Sequence, residues 1–496
     1  MNAKHWLKAG AIWLVPLLGV PVVAACASTA AEQPLPEITI YTAGSSSVAA
    51  CERIGQALSE LTAEHLGFTV SVLQTSTASY NEHLERSLLM GEDIDLFCYT
   101  DLNNMFSLVS DGKAVPLETM LSDFPALMEA VPEDYWSCMT YDGHIVAVPG
   151  NNSNRYTIGF EVRADIMDEL EVSSADVTTL ESLEELLRKV KQNYPDMTPL
   201  VPHFGQIMQT LDIDPLSNGL GVLLGNTGTE VVDLYSTDYF AELCSTMHVW
   251  YEENLILENA PLTNIPAARA LNLYNGFCFG QRGAMRNIAS INRSVGMELD
   301  TISLTSFVQN SSALNIGWCV NAKSTQEDQN RALQLLEYLY TDKAAADLLL
   351  YGVEEVDYHR INENTVTSIE SGPEDEWSTV HWAQPNSAIV SQWIRPDGTP
   401  VVFTEPDECK VSPAYGFTYT PSANLRPKVN SCLQIVDKYQ NALLSGYLDP
   451  EEALPLFRSE LEAAGIGEIV QEKQQQLDAW LADKDNTALT EIIAGT

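Results

Sequence analysis

Residues 314–358 constrain the fold more than any other stretch, because one short run carries a strand signal, two helix signals and a stop. Leu314, Ile316, Trp318 and Val320 alternate with small or polar residues, the period of a strand with one buried face. Ser324 stands three residues before Glu327, a capping-box spacing that predicts a helix start. Ala332, Leu335, Leu336 and Leu339 form one stripe at helical spacing. Thr341 and Asp342 break it, Ala344, Ala345, Leu348 and Leu349 begin a second stripe, and Gly352 supplies a stop. A strand feeding two helices in this way belongs to a layered α/β protein.

At 496 residues the chain is too long for one core, so two domains are expected. The formal net charge of −42 repels phosphate backbones and anionic lipid, which argues against nucleic-acid binding and against membrane binding by charge. Lys4, His5 and Lys8 precede an apolar stretch from Ala9 to Ala25, the pattern of an export signal. No later stretch approaches the roughly 20 apolar residues needed to cross a bilayer. Val23-Ala24-Ala25-Cys26 resembles a bacterial lipobox, which implies lipidation at Cys26, and the small and polar residues after it suit a flexible tether over 26–36. The other eight cysteines are scattered, several within apolar runs, and read as buried free thiols.

Along the chain, 37–41 is a strand, Thr42 to Ser47 a small-residue turn into a helix bearing Ile54, Leu58 and Leu61, and 68–73 a second strand. This is a βαβ unit, and in such sheets ligands sit beyond the carboxyl ends of the strands. A helix over 80–90, a strand ending at Tyr99 and a helix over 103–109 follow. A strand closing at Pro149 ends this part. Beyond it come a strand over 156–160, a helix entry at Arg163 and Asp165, a helix from Thr179, a helix over 239–252 and a strand over 284–288. Six prolines between Pro373 and Pro413 mark an irregular segment, and loops of that length usually wrap a cleft or carry function. Asp449 caps a helix with Pro450 at its first position.

Several passages resemble one family. The strand, Asn321-Ala322, capped helix and Leu339-Tyr340-Thr341-Asp342 resemble extracellular solute-binding proteins of carbohydrate ABC importers. The Leu349-Leu350-Tyr351-Gly352-Val353-Glu354 run resembles their LipO-like lipoprotein branch, as do the passages 449–457, 461–466 and 472–480 near the carboxyl end. The resemblance implies an α/β, two-lobed periplasmic-binding-protein-like fold of type II, with a cleft between lobes and a helical C-terminal region. It implies a signal peptide over 1–25, a first lobe from 37–146 plus about 312–350, and a second from 147–311 plus part of 415–485. Residues 351–414 would be an irregular segment wrapping the cleft.

The implied function is capture of an extracellular solute, a mono- or oligosaccharide, for delivery to the transmembrane subunits of an ABC permease. A peptide or oxyanion ligand in the same fold is an alternative, as is an extracellular glycan-acting enzyme. No cofactor, metal or nucleic acid is expected, and the protein should be a lipid-anchored, extracytoplasmic monomer.

A neutral sugar needs aromatic faces and planar polar groups. Candidates at strand ends or in loops are Tyr41, Ser45, Ser46, Ser76, Tyr99, Asp101, Tyr135, Trp136, Asn152, Arg286, Asn287, Trp318, Tyr358, Trp382 and Trp393. The hydroxyls of the turn ahead of the first helix could instead cradle an oxyanion or simply cap that helix. No HExxH, GxSxG or Walker loop is present, and the eight histidines do not cluster.

Overall fold

The computed structural model describes residues 34–100, 105–141, 143–152, 155–201, 211–262, 267–282, 295–311, 316–369, 377–380, 383–394 and 409–483. From Pro36 onward the chain is one compact unit, and its described residues form two large sheets, four smaller ones and two large apolar cores. Among the described residues no helix is long and apolar enough to cross a membrane.

The first sheet starts as the sequence suggests. Strand β1 (Glu37–Ala43) leads through a turn into helix α1 (Val48–His65), which returns the chain to β2 (Thr69–Thr75). Helix α2 (Tyr80–Met90) ends on Gly91 in the left-handed conformation and delivers β3 (Leu96–Tyr99). After a hairpin at Thr140–Tyr141 and His144–Ile145, the short Val148–Pro149 strand closes this part.

The second sheet follows in β4 (Ile158–Arg163), helix α3 (Leu180–Asn193), β5 (Thr198–Leu200), helix α4 (Asp238–Glu252), β6 (Gly276–Arg282) and β7 (Leu299–Ser303). The chain then returns through β8 (Gly317–Val320) into α5 (Gln326–Thr341) and α6 (Lys343–Tyr351). The strand orders are β2-β1-β3-β8-(Val148–Pro149) and β7-β4-β6-β5. In the first, β1 runs parallel to β2 and β3 while β8 is antiparallel to β3.

One core gathers Ile54, Leu58, Leu335 and Leu339 around the first sheet. The other surrounds Phe160, Leu183, Leu187 and Phe240 of the second sheet and its helices, and it continues into α7 (Arg426–Leu444), α8 (Pro450–Ala464) and α9 (Ile466–Asp483) through Phe457 and Leu477. Phe457 shows why the C-terminal helices belong there. Its ring lies 4.9 Å from that of Tyr235 and 5.2 Å from that of Tyr439, aromatic contacts worth about 1 kcal/mol each beyond area burial.

Four expectations change. The N-cap of α5 is Thr325, which accepts from Asp328 N at 3.2 Å, while the Ser324 hydroxyl is drawn away to donate to Asp95 at 2.6 Å. The second sheet begins at Ile158, because Tyr156 is spent on an isolated bridge to Val308. Residues 351–414 are not wholly irregular, since Tyr358–Asn362, Thr365–Ser368 and Gln392–Trp393 form a three-stranded sheet.

In the 103–109 stretch the described residues hold only the 3-10 turn Met105–Ser107. The strand expected over 284–288 lies outside the described residues, as does Cys26. The eight remaining cysteines are free thiols, and all but Cys409 are buried.

Candidate functional site

Parallel strands present their carboxyl ends on one edge, and the chain turns there without regular pairing, so loop side chains collect at that edge. Beyond β1 the turn Gly44 to Ser47 passes close to the Gln74 side chain, whose amide end would lie 2.3 Å from a Cβ on Gly44 and would have to move aside for one. Gln74 Oε1 in turn accepts from Ser46 N at 3.1 Å. Ser47 Oγ caps α1 by accepting from Ala50 N at 3.1 Å.

A second segment, described over 377–380 and 383–387, is laid along this edge. Ser378 and Ser46 clasp each other, since Ser46 Oγ accepts from Ser378 N at 2.8 Å and donates to Ser378 O at 3.1 Å. Ser45 adds its N–H to Ser378 O at 3.1 Å and its hydroxyl to Ser378 Oγ at 3.2 Å. Farther on, Asn151 N donates to Pro385 O at 2.7 Å and Ser387 N donates to Asn151 O at 3.0 Å. Asn152 Nδ2 donates to Gln384 O at 3.0 Å, and the Ser387 hydroxyl donates to Asn152 Oδ1. The β1–α1 turn and the exit after Pro149 are thus each tied to this segment by polar contacts, and together these groups make up a polar rim.

Among its described residues this rim holds hydroxyls, carboxamides and peptide groups and no ionisable side chain. Beneath it Tyr41 is buried against Tyr80 with ring centroids 5.5 Å apart, and burial raises the pKa of both the Tyr41 phenol and the Cys51 thiol. Both stay uncharged at neutral pH. From Ser46 and Thr75 a groove of about 730 Å³ continues along β2 between α1 and α2, a volume within the usual range for small-molecule sites. A second cavity, of about 410 Å³, lies in the other core between Phe160, Leu200, Leu243 and Met247, with Glu181, Asp212 and Glu242 at its wall.

Of the expected site residues, the structure brings Ser45, Ser46 and Asn152 to the rim and sets Tyr41 under it. Ser76 is exposed at the end of β2. Tyr99, Trp136 and Trp318 are core side chains with almost no exposed surface, so they do not meet a solute in this conformation. Both faces of the first sheet are covered, which buries aromatics that simple alternation would turn outward. Tyr135 packs against the same core, half-buried.

Tyr358 is likewise buried, accepting from Arg360 at 2.7 Å, and Trp393 packs on Tyr351 with centroids 5.6 Å apart, away from the rim. Asp101, Arg286, Asn287 and Trp382 lie outside the described residues. Ser378, Asn151, Gln384 and Ser387 were missed. The Pro385-Asn386-Ser387 turn signal was visible, but nothing local tells which strand end it meets.

Among the described residues no cluster of His, Cys, Asp and Glu could hold a metal. The architecture has counterparts among solved structures. N-glycan transport solute-binding protein (NgtS) from Streptococcus pneumoniae, in complex with Man5GlcNAc, superposes with a TM-score of 0.74 at 20% identity, over 90% of this chain and 99% of that one. The chain has the fold of a type II solute-binding protein.

A human-milk-oligosaccharide-binding, ABC-transporter-associated solute-binding protein from Bifidobacterium longum infantis matches with a TM-score of 0.56 at 14% identity, over 90% and 100% of the two chains. In sequence, a carbohydrate ABC transporter substrate-binding protein of Streptococcus pneumoniae is 22% identical over 434 residues, 85% of this chain and 86% of that protein. Residues 413–482 match a family described only as a domain of unknown function, DUF3502. The type II solute-binding fold thus has its helical carboxyl-terminal addition here.

Proposed function

We propose that this chain is the solute-capturing component of an ABC importer and that its solute is an uncharged oligosaccharide. The observation that carries this is the rim beyond β1. Ser45, Ser46, Ser378, Asn151 and Asn152 offer donors and acceptors with no fixed charge, which matches the hydroxyls of a neutral glycan better than an oxyanion or a peptide terminus. The likeness to glycan-binding proteins over most of the chain supports the same class.

Residues 37–146 with about 312–350 form one jaw in this proposal, 147–311 with part of 415–485 the other, and 351–414 line the cleft. Asp101, Arg286 and Trp382 remain proposed contacts. A glycan touching both jaws stabilises the closed form, which the permease then receives. The chain acts outside the cytoplasm, anchored through lipidated Cys26, and performs no catalysis.

Isothermal titration of the mature chain with Man5GlcNAc, maltose, a tetrapeptide and phosphate tests the proposal. Heat with a glycan alone, at a Kd near about 1 μM or about −8 kcal/mol, is expected. Heat only with peptide or phosphate contradicts it, and release of smaller sugars on incubation would make the chain an enzyme. For the anchor, Cys26→Ala should release the protein from membranes of labelled cells.

A further inference from the structure

The C-terminal helices have no part in the rim, yet one of their side chains reaches deep into the second lobe. Lys473 of α9 is fully buried, and its Nζ donates to Asn218 Oδ1 at 2.8 Å and to Gly221 O at 3.1 Å while standing 4.9 Å from the centroid of the Tyr419 ring. A buried ammonium is costly unless its donors are used, so its place is a strong constraint. Burial lowers its pKa to about 7, with the Asp214 carboxylate acting in the opposite direction.

The loop it holds is an unusual one. Leu216 and Ser217 have φ of 44° and 77°, and Gly219 and Gly221 have φ of 73° and 143°. Two consecutive non-glycine residues in the left-handed region persist only where their surroundings impose it. Those surroundings come from the carboxyl-terminal region: Lys473 on Asn218 and Gly221, and Tyr419 N donating to Ser217 Oγ at 3.0 Å. Gln474 extends the grip, accepting from Val231 N at 2.7 Å and donating to Thr229 O at 2.9 Å.

At the foot of the loop stands Asp214, buried and fully engaged. Its carboxylate accepts from Leu216 N at 3.2 Å, Ser311 N at 3.1 Å, the Ser311 hydroxyl, and the Ser412 hydroxyl at 2.5 Å. Ser311 and Ser412 belong to the two segments by which the chain leaves the second sheet and later comes back to its core. These segments pair in parallel, Val308 with Lys410 and Gln309 with Val411. Asn310 Nδ2 fastens the first of them to the strand that ends at Asp214, donating to Ile213 O at 3.0 Å, and to Asn226 Oδ1 at 2.7 Å.

We infer that the C-terminal helices are a hinge brace: Lys473 keeps the 216–221 loop in the shape that aims Asp214 at Ser311 and Ser412, so that both crossing segments move with the second lobe as one body. Lys473 and Asp214 are positioning residues that touch no solute. The brace deepens the proposed function, since it matters only for a protein whose lobes close, but the brace itself is visible without any ligand.

Hydrogen exchange of the full chain, free of ligand, tests it in Lys473→Met, in Asn218→Ala, and in Phe457→Leu, which loosens α8 while leaving Lys473 in place. The amides of Val308, Ser311, Lys410 and Ser412 should exchange roughly ten-fold faster in the first two variants, with β1 and β2 unchanged and the crossing amides protected in Phe457→Leu. Asn218→Ala removes a half-buried acceptor that serves Leu220 N at 3.1 Å as well as Lys473, and it keeps the test open if Lys473→Met fails to fold. Unchanged crossing amides in both variants overturn the brace, as does equal loosening in Phe457→Leu. A chain that bound no glycan would still pass or fail this test on its own terms.

Discussion

The rim of the first lobe and the Asp214 hub of the second are both polar, but they are built for opposite ends. At the rim, hydroxyls and amides meet across more than 300 residues of chain, and Ser45 and Ser378 are open to water. At the hub one carboxylate is buried and accepts four hydrogen bonds, so nothing is left for a solute. Polar groups that are saturated and dry hold the fold, and polar groups that are half-satisfied and wet are available for binding.

Cutting the hub should have the largest effect. Asp214→Ala leaves Ser311 N, the Leu216 N–H and two hydroxyls buried without their acceptor, and a loss of about 4 kcal/mol is expected in chemical denaturation. A loss below about 1 kcal/mol would put the hub on a level with the rim and erase the contrast.

The second lobe also carries a buried acid that the rim lacks. Glu161, at 1% exposure between Thr301 and Phe279, has its pKa raised to about 8 by burial, against a hydrogen bond from Thr301 at 2.9 Å. With the folded value above the unfolded one, the folded chain holds the proton more tightly. The stabilisation is complete at low pH and is lost as pH rises through about 8. Glu161→Gln should therefore gain on the parent as pH climbs from 5 to 8.5, by about 4 kcal/mol at most. Comparing variant with parent at each pH cancels the opposite trend from Lys473, whose lowered pKa favours the folded state as pH rises above about 7.

Rim substitutions should invert the pattern, moving affinity more than stability. Ser46→Ala removes the hydroxyl that clasps the Ser378 backbone N–H and C=O and so shapes the rim, and glycan affinity should fall about five- to ten-fold with less than about 1 kcal/mol lost in unfolding. Smallest of all, Ser45→Ala should change stability by about 0.3 kcal/mol, since its hydroxyl is exposed.

What was legible in the sequence follows the range of the interactions. Thr179 caps α3 and Asp449 caps α8 as their local spacing suggests, and the strand and helix pair after Ile316 stand where alternation and helical stripes put them. The Ser45 to Ser47 turn was identifiable as the entry to α1 at a strand's carboxyl end.

Long-range pairing was not legible. The α5 cap moves by one residue because Asp95, 229 positions earlier, claims Ser324. Asp214 is one of 68 acids, and its partner Ser412 lies 198 positions away, so no spacing marks it. Trp136 and Trp318 carried the right chemistry for a sugar, but a sheet covered on both faces takes such rings inside.

The central claim is that the rim beyond β1, which holds no ionisable side chain among its described residues, receives an uncharged glycan. Calorimetric titration of parent and Ser46→Ala with a panel of neutral oligosaccharides, at low and high salt, tests it most directly. Saturable binding by at least one glycan, insensitive to salt and weakened about five-fold or more by the substitution, is the result expected. Binding that fades with salt, or that ignores the loss of the Ser46 hydroxyl, would contradict it.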